Sequence, residues 1–204
     1  MNILEQRKNF YKLISRIFLI EMSEDALENI EKLENFQEIF PSYSQWEIRQ
    51  KKSRYKLIHE VLNVDFTDIA LMHLVPYESF YVRDDGMIES GGANPTTQIY
   101  NDFGYRVDLD KGRIVSPDHI AVETEFMSML VEAQIKAMKE GAEDIAKDLK
   151  DQQKSFLKEH ILQFAPMYLL NVAEQARTPF YKDSAKLALE FLLEDYEFLK
   201  KEDS

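Results

Sequence analysis

Apolar residues recur along this chain at spacings of three and four, the repeat of helices that each turn one face to a core. In residues 3–20, Phe10, Leu13, Ile14, Ile17 and Phe18 share one side, and Lys8, Lys12, Ser15 and Arg16 the other. Ser23, followed by Glu24 and Asp25, has the chemistry of a helix start. The helix it predicts carries Leu27, Ile30, Leu33, Phe36 and Phe40 inward as far as Pro41, opposite an acidic face of Glu28, Glu31, Glu34 and Glu38. A third helix is expected from about residue 45 to 62, with Trp46, Tyr55, Ile58, Val61 and Leu62 as its apolar positions. Asp65 then suits the cap of a short helix that Pro76 ends.

Residues 83–95 lose the pattern and read as a loop, through Asp-Asp-Gly and then Ser-Gly-Gly-Ala-Asn-Pro. Asn94 and Pro95 predict a new helix that buries Ile99, Tyr100 and Phe103 and closes at Gly104. Residues 107–115 alternate weakly, as a small hairpin or an extended link. The best-specified helix follows, with Ser116 as N-cap, Pro117 in the first helical position and Asp118 at the positive helix end. Behind them Val122, Phe126, Met129, Leu130, Ala133 and Ala137 make a core stripe. Gly141 separates this helix from one reaching about residue 164. Ala165-Pro166 predicts a break and restart, and Thr178-Pro179 opens a last helix with Phe180, Leu187, Phe191, Leu192, Tyr196 and Leu199 inward. The fold expected is all-α: one multi-helix globular domain over residues 1–204, with helical halves 1–81 and 96–204 on either side of the loop at 82–95.

Composition narrows the partners. The formal charge is −12, from 37 acidic and 25 basic residues. Such a surface repels phosphate backbones, which argues against nucleic acid, and draws in cationic partners. With no cysteine, the chain has no disulfide, thiolate metal site or Cys nucleophile. Lys12 and Arg16 interrupt the apolar stretch near the N-terminus, unlike a secretory signal. No uncharged run approaches the roughly 18 residues of a membrane span. The expectation is a cytoplasmic protein with no stable membrane insertion.

Spacing tests the catalytic possibilities. Twice-repeated Glu-x-x-His marks a di-iron bundle, but the positions three before the four histidines hold Lys56, Ala70, Ser116 and Leu157. His59-Glu60 lacks the second histidine of a zinc protease, and Gly86 to Gly92 lacks the Lys-Ser/Thr of a phosphate loop. Asp108-x-Asp110-x-Gly112 has its glycine one place early for a calcium loop. His119 and Glu123, one helical turn apart and beside Asp118, form the densest polar cluster. As a metal or acid/base set they need ligands from elsewhere, such as His160 and Glu159. The reading that needs nothing further is a structural or recognition role, with no catalytic residue, metal or cofactor.

Pro117-Asp118-His119 followed by Glu123, Glu125, Phe126 and Met127 resembles the signature of the chaperones that mature molybdenum oxidoreductases, the TorD/DmsD/NarJ-like family. Pro76-Tyr77-Glu78-Ser79-Phe80-Tyr81 resembles that family's upstream motif, and Asp65-Phe66-Thr67 the segment before it. Downstream, Phe156, His160, Pro166, Ala176, Phe180-Tyr181, Phe191-Leu192 and Asp195 stand in the family's order. The resemblance implies an all-α TorD-like fold and a system-specific chaperone with no cofactor of its own. Its implied partners are the twin-arginine signal peptide and the apo catalytic subunit of a molybdopterin oxidoreductase. The identity of that client and pairing into a homodimer are left open. On this resemblance the signal-peptide site is expected to take Asp118, Glu123 and Glu78 as its acidic side, Pro117 and His119 as orienting residues, and Tyr77, Phe80, Tyr81 and Phe126 as apolar walls. The alternative is a helical adaptor that docks an acidic face on a partner and has no signal-peptide role.

Overall fold

The computed structural model describes residues 2–201, apart from the side chain of Lys111. The Asn2 side chain accepts the Leu4 N–H at 3.2 Å and so starts helix α1 (Ile3–Leu19). Its inner face is Leu4, Tyr11, Ile14, Ile17 and Phe18, all buried, while Phe10 and Leu13 are only half-buried. Ser23 caps α2 (Glu24–Glu31) through the Ala26 N–H, as its sequence predicts. This helix ends before Leu33, which leaves Leu33 exposed. Two single turns, Phe36–Ile39 and Pro41–Ser44, follow, so Pro41 opens a turn at its first position instead of closing a long helix.

Ser53 interrupts the expected third helix. Its hydroxyl accepts the Lys56 N–H and starts α3, a continuous rod over residues 54–72 with widened turns at Ile58–Leu62 and Thr67–Met72. Asp65 therefore lies in mid-helix. Its carboxylate reaches across to accept the N–H groups of Arg177 and Thr178 and the Thr178 hydroxyl, at 2.6–3.0 Å.

After α4 (Glu78–Val82), residues 83–95 form the predicted loop, and α5 (Thr97–Asp102) closes at Gly104, whose φ of +66° suits glycine. No strand forms at 107–115, where a tight helical turn, Leu109–Gly112, takes the place of the hairpin. The long central helix α6 (Ile120–Lys139) is buried on nearly all sides, with α1 along one flank and α7 (Glu143–Phe156) along another. Gly141, at φ +74°, makes the turn between α6 and α7.

Pro166 does not break the chain as expected. Helix runs on from α7 through a widened turn, Leu157–Ile161, into α8 (Leu162–Gln175), with Pro166 inside α8. A proline lacks the N–H and crowds the carbonyl four residues back, here that of Leu162, yet the helix runs on through it. Thr178 and Pro179 open α9 (Pro179–Lys201), which packs on α8 and on the Pro41–Ser44 turn. Asp183 of α9 accepts the N–H groups of Ser42 and Tyr43, each at 2.8 Å, while Phe40 stacks on Phe180 at 5.3 Å. One hydrophobic core runs from Leu4 to Leu199, joining both halves of the chain in an all-α fold.

Candidate functional site

Two proline-led segments meet at the start of α6. Pro76 stands one residue before Tyr77, and Pro117 two residues before His119. Tyr77 and His119 form an isolated antiparallel bridge. Across it the Glu78 N–H donates to the Asp118 carbonyl at 3.0 Å, and the Ile120 N–H to the Pro76 carbonyl at 2.9 Å. The Tyr77 ring meets the His119 ring edge-on at 5.0 Å, and its hydroxyl accepts the Val115 N–H at 3.1 Å.

The side chains complete the clamp, with roles other than those expected of them. Helix α6 starts at Ile120 and its cap is His119, whose Nδ1 accepts the Ala121 N–H at 3.1 Å. Ser116 is not that cap. Its hydroxyl bonds Asp118 Oδ1 and accepts from the Asn94 side chain. Asp118 Oδ2 accepts the Ser79 N–H at 2.7 Å, so this carboxylate holds the first turn of α4 and not its own helix. Because Nδ1 accepts, the His119 proton sits on Nε2. Burial drives its pKa down to about 4, with the Asp118 charge pulling the other way.

Deeper in the same cluster lies Glu123, fully buried. Burial first, then the neighbouring carboxylates Glu78 and Asp118, push its pKa well above the usual carboxylate range. Neither of its side-chain oxygens has a hydrogen-bond partner, which further disfavours the charged form. Glu78 also holds His160, with Nδ1 3.1 and 3.2 Å from its two oxygens. His160 is carried by the widened turn Leu157–Ile161, and its ring stacks on Phe156 at 4.8 Å. The His160–Glu78 pair therefore ties the widened turn between α7 and α8 to α4, with Glu123 of α6 buried beside it.

The structure brings all nine expected site residues into one region but buries most of them. Asp118, Glu123 and Phe126 have no exposed surface, while Tyr77, Glu78 and His119 expose 7% or less. Phe126 is a core ring, packed at 4.8–5.7 Å among Tyr100, Phe103, Tyr105 and Phe156. Only Phe80, Tyr81 and Pro117 reach the surface, and the Tyr81 ring leans on Phe164. A carboxylate placed like Asp118, with both oxygens bonded inside the protein, does not face an incoming guanidinium. Asp118, Glu123 and Phe126 thus stand inside the protein, away from its surface. Among the described residues no group of three or more His, Asp or Glu side chains converges as a metal site.

Two cavities adjoin the helices. A small one of about 90 Å³ is walled by Phe103, Phe126, Phe156 and His160, with Glu159 at its edge. A far larger groove of about 750 Å³ runs between α1 and α2, lined by neither motif. Sequence reading missed it because Phe10, Leu13 and Leu33 continue ordinary core stripes.

A profile described as the nitrate reductase delta subunit matches residues 59–169, more than half of the 204 residues and inclusive of both bridged segments. The chain is similar to a chaperone protein TorD of Photobacterium profundum, 28% identical over 125 residues. It is also similar to a chaperone protein TorD of Vibrio parahaemolyticus serotype O3:K6, 23% identical over 125 residues. Each match covers 61% of this chain and 56% of the relative's length, so the chain spans little more than half of the relatives it matches. No described helix is long and apolar enough to cross a membrane.

Proposed function

The chain belongs to the nitrate reductase delta subunit family, of NarJ/TorD type, and from that membership we propose that it is a cytoplasmic chaperone for the maturation of a molybdopterin oxidoreductase. Its client is the apo catalytic subunit, bound together with the twin-arginine signal peptide at that subunit's N-terminus. Binding keeps the precursor from early export and keeps the apoenzyme competent to receive its molybdopterin cofactor. The observation that carries this reading is the profile match over 59–169, within which the bridge between Tyr77 and His119 joins the two most family-like segments.

Chemistry and charge agree with it. A signal peptide presents two arginines and an apolar run, and a chain of net charge −12 attracts such a segment. The densest polar cluster is committed inward: the Asp118 oxygens are both bonded and His119 uses Nδ1 on its own helix. In this proposal Pro117, Asp118, His119, Glu123, Tyr77, Glu78 and Phe126 act by fixing the helices, and Phe80 and Tyr81 stand at the surface of the motif.

Titration calorimetry with a synthetic twin-arginine signal peptide tests the proposal, with Arg-to-Lys and Leu-to-polar peptides as controls. The expected result is saturable binding weakened by both changes. Equal, weak binding of all three peptides would sink it.

A further inference from the structure

The small cavity between α5, α6 and α7 differs in character from the groove at α1 and α2. Most of its lining is Phe, Ile or Leu, and its three phenylalanine rings are set at an angle to one another, Phe126 at 75° to Phe103 and 64° to Phe156. Phe126 and Phe156 are buried and Phe103 is half-buried, so these walls belong to the core. At about 90 Å³ the cavity has room for a few waters or one small headgroup, and it falls well short of the roughly 300–1,000 Å³ of sites that take a drug-sized ligand. Its remaining wall, His160, comes from the widened turn Leu157–Ile161, and widened turns of this kind recur at functional sites.

Charge at its mouth has one sign. Glu159 lines the cavity, is exposed, and has no ion pair or hydrogen bond among the described residues. No lysine or arginine lines the cavity. Helical spacing accounts for this: Asp148, Gln152, Ser155 and Glu159 follow one stripe, while Lys147, Lys154 and Lys158 each come one position earlier and so stand about 100° round the helix. His160 adds no net positive charge, because the Glu78 carboxylate lies 3.1 Å from its Nδ1 and balances the ring when it is protonated.

Aromatic rings attract a cation through the negative potential over their faces, and a carboxylate beside them adds to that attraction. A bare ammonium or a guanidinium entering this cavity gives up water bonds that Phe, Ile and Leu walls cannot replace. A quaternary ammonium has no N–H to lose. We propose that the cavity binds a small quaternary ammonium, its methyl groups against Phe103, Phe126 and Phe156 and its charge beside Glu159. The inference stands apart from the chaperone reading and does not depend on it.

The test titrates the full chain with choline, read by isothermal titration calorimetry, beside its uncharged carbon isostere dimethylbutanol and beside methylguanidinium, all at equal ionic strength. The expected result is saturable binding of choline, about tenfold tighter than either control. Glu159→Gln, at an exposed position, is expected to weaken choline several-fold and to bring it closer to the isostere. Phe103→Leu is expected to weaken it about two- to tenfold, with circular dichroism confirming the fold. No saturable binding of choline, equal affinity for choline and the isostere, or unchanged choline affinity in Glu159→Gln would each overturn the inference. Tighter binding of methylguanidinium than of choline would assign the cavity to an arginine side chain and overturn it equally.

Discussion

Arg7 and Asp195 pair side-on across 188 positions of sequence, Nε and Nη2 of the guanidinium meeting the two carboxylate oxygens inside the protein. Tyr11 donates a further bond to the same carboxylate at 2.7 Å, so α1 and α9 are tied through one buried group. Removing one member of a buried ion pair leaves an uncompensated charge and costs about 3–5 kcal/mol. Asp195→Ala should therefore lower Tm by roughly 6–20 °C in a chain of this length. The double change Arg7→Met with Asp195→Leu should recover most of that loss, because it removes both charges from the interior. Thermal unfolding followed by circular dichroism decides it; an unchanged Tm in Asp195→Ala would show that the pair contributes nothing.

Asp118 fastens α4 to the start of α6 from outside both helices. Asp118→Ala strips the Ser79 N–H of its acceptor and leaves the Ser116 hydroxyl one partner fewer, a loss of about 1–3 kcal/mol. The expected outcome is lower stability with the peptide affinity of the folded protein unchanged. A fall in affinity at constant Tm would instead return Asp118 to direct contact.

His119 gives the fold an acid limb. Its folded pKa of about 4 lies below the usual 6.5, so the unfolded chain takes up this proton first. The stability it contributes is complete above pH 6.5 and is lost as pH falls toward 4, by about 3 kcal/mol over that window. Asparagine is a good N-cap that does not titrate. His119→Asn should thus keep the fold at pH 7 and flatten urea-derived stability between pH 4 and 6.5. Parallel profiles for the variant and the parent would show that His119 does not set this limb.

Much of this architecture was legible in local chemistry. Ser23, Thr178-Pro179 and Gly141 mark boundaries within a residue or two, because caps and left-handed turns act on their immediate neighbours. Carboxylates acting at a distance were not legible. Asp65, Asp118 and Asp183 each hold the backbone of another element, up to 141 residues away, and nothing near them in sequence names the recipient. Pro166 misled because an interior proline can sit within a helix held by tertiary packing without ending it, and the buried Phe164, Ala165, Tyr168 and Leu169 around it anchor α8 in the core. The motif residues lie in one region, yet their direction was not readable, since an inward carboxylate and an outward one have the same sequence.

Glu123 works in the opposite sense to His119. Its folded pKa lies above the ordinary 4.5, so the neutral acid is the form the fold favours. The stability that comes with that proton is complete below pH 4.5 and drains away as pH rises through the raised folded value. Glutamine keeps the shape and stays neutral at every pH, with no proton to lose. Glu123→Gln should therefore match the parent near pH 5 and surpass it increasingly at higher pH, as measured by urea unfolding at a series of pH values. A variant less stable than the parent at pH 8 would mean that Glu123 is ionised in the folded protein, and that the interior beside Glu78 and Asp118 carries one more negative charge than a neutral Glu123 gives it.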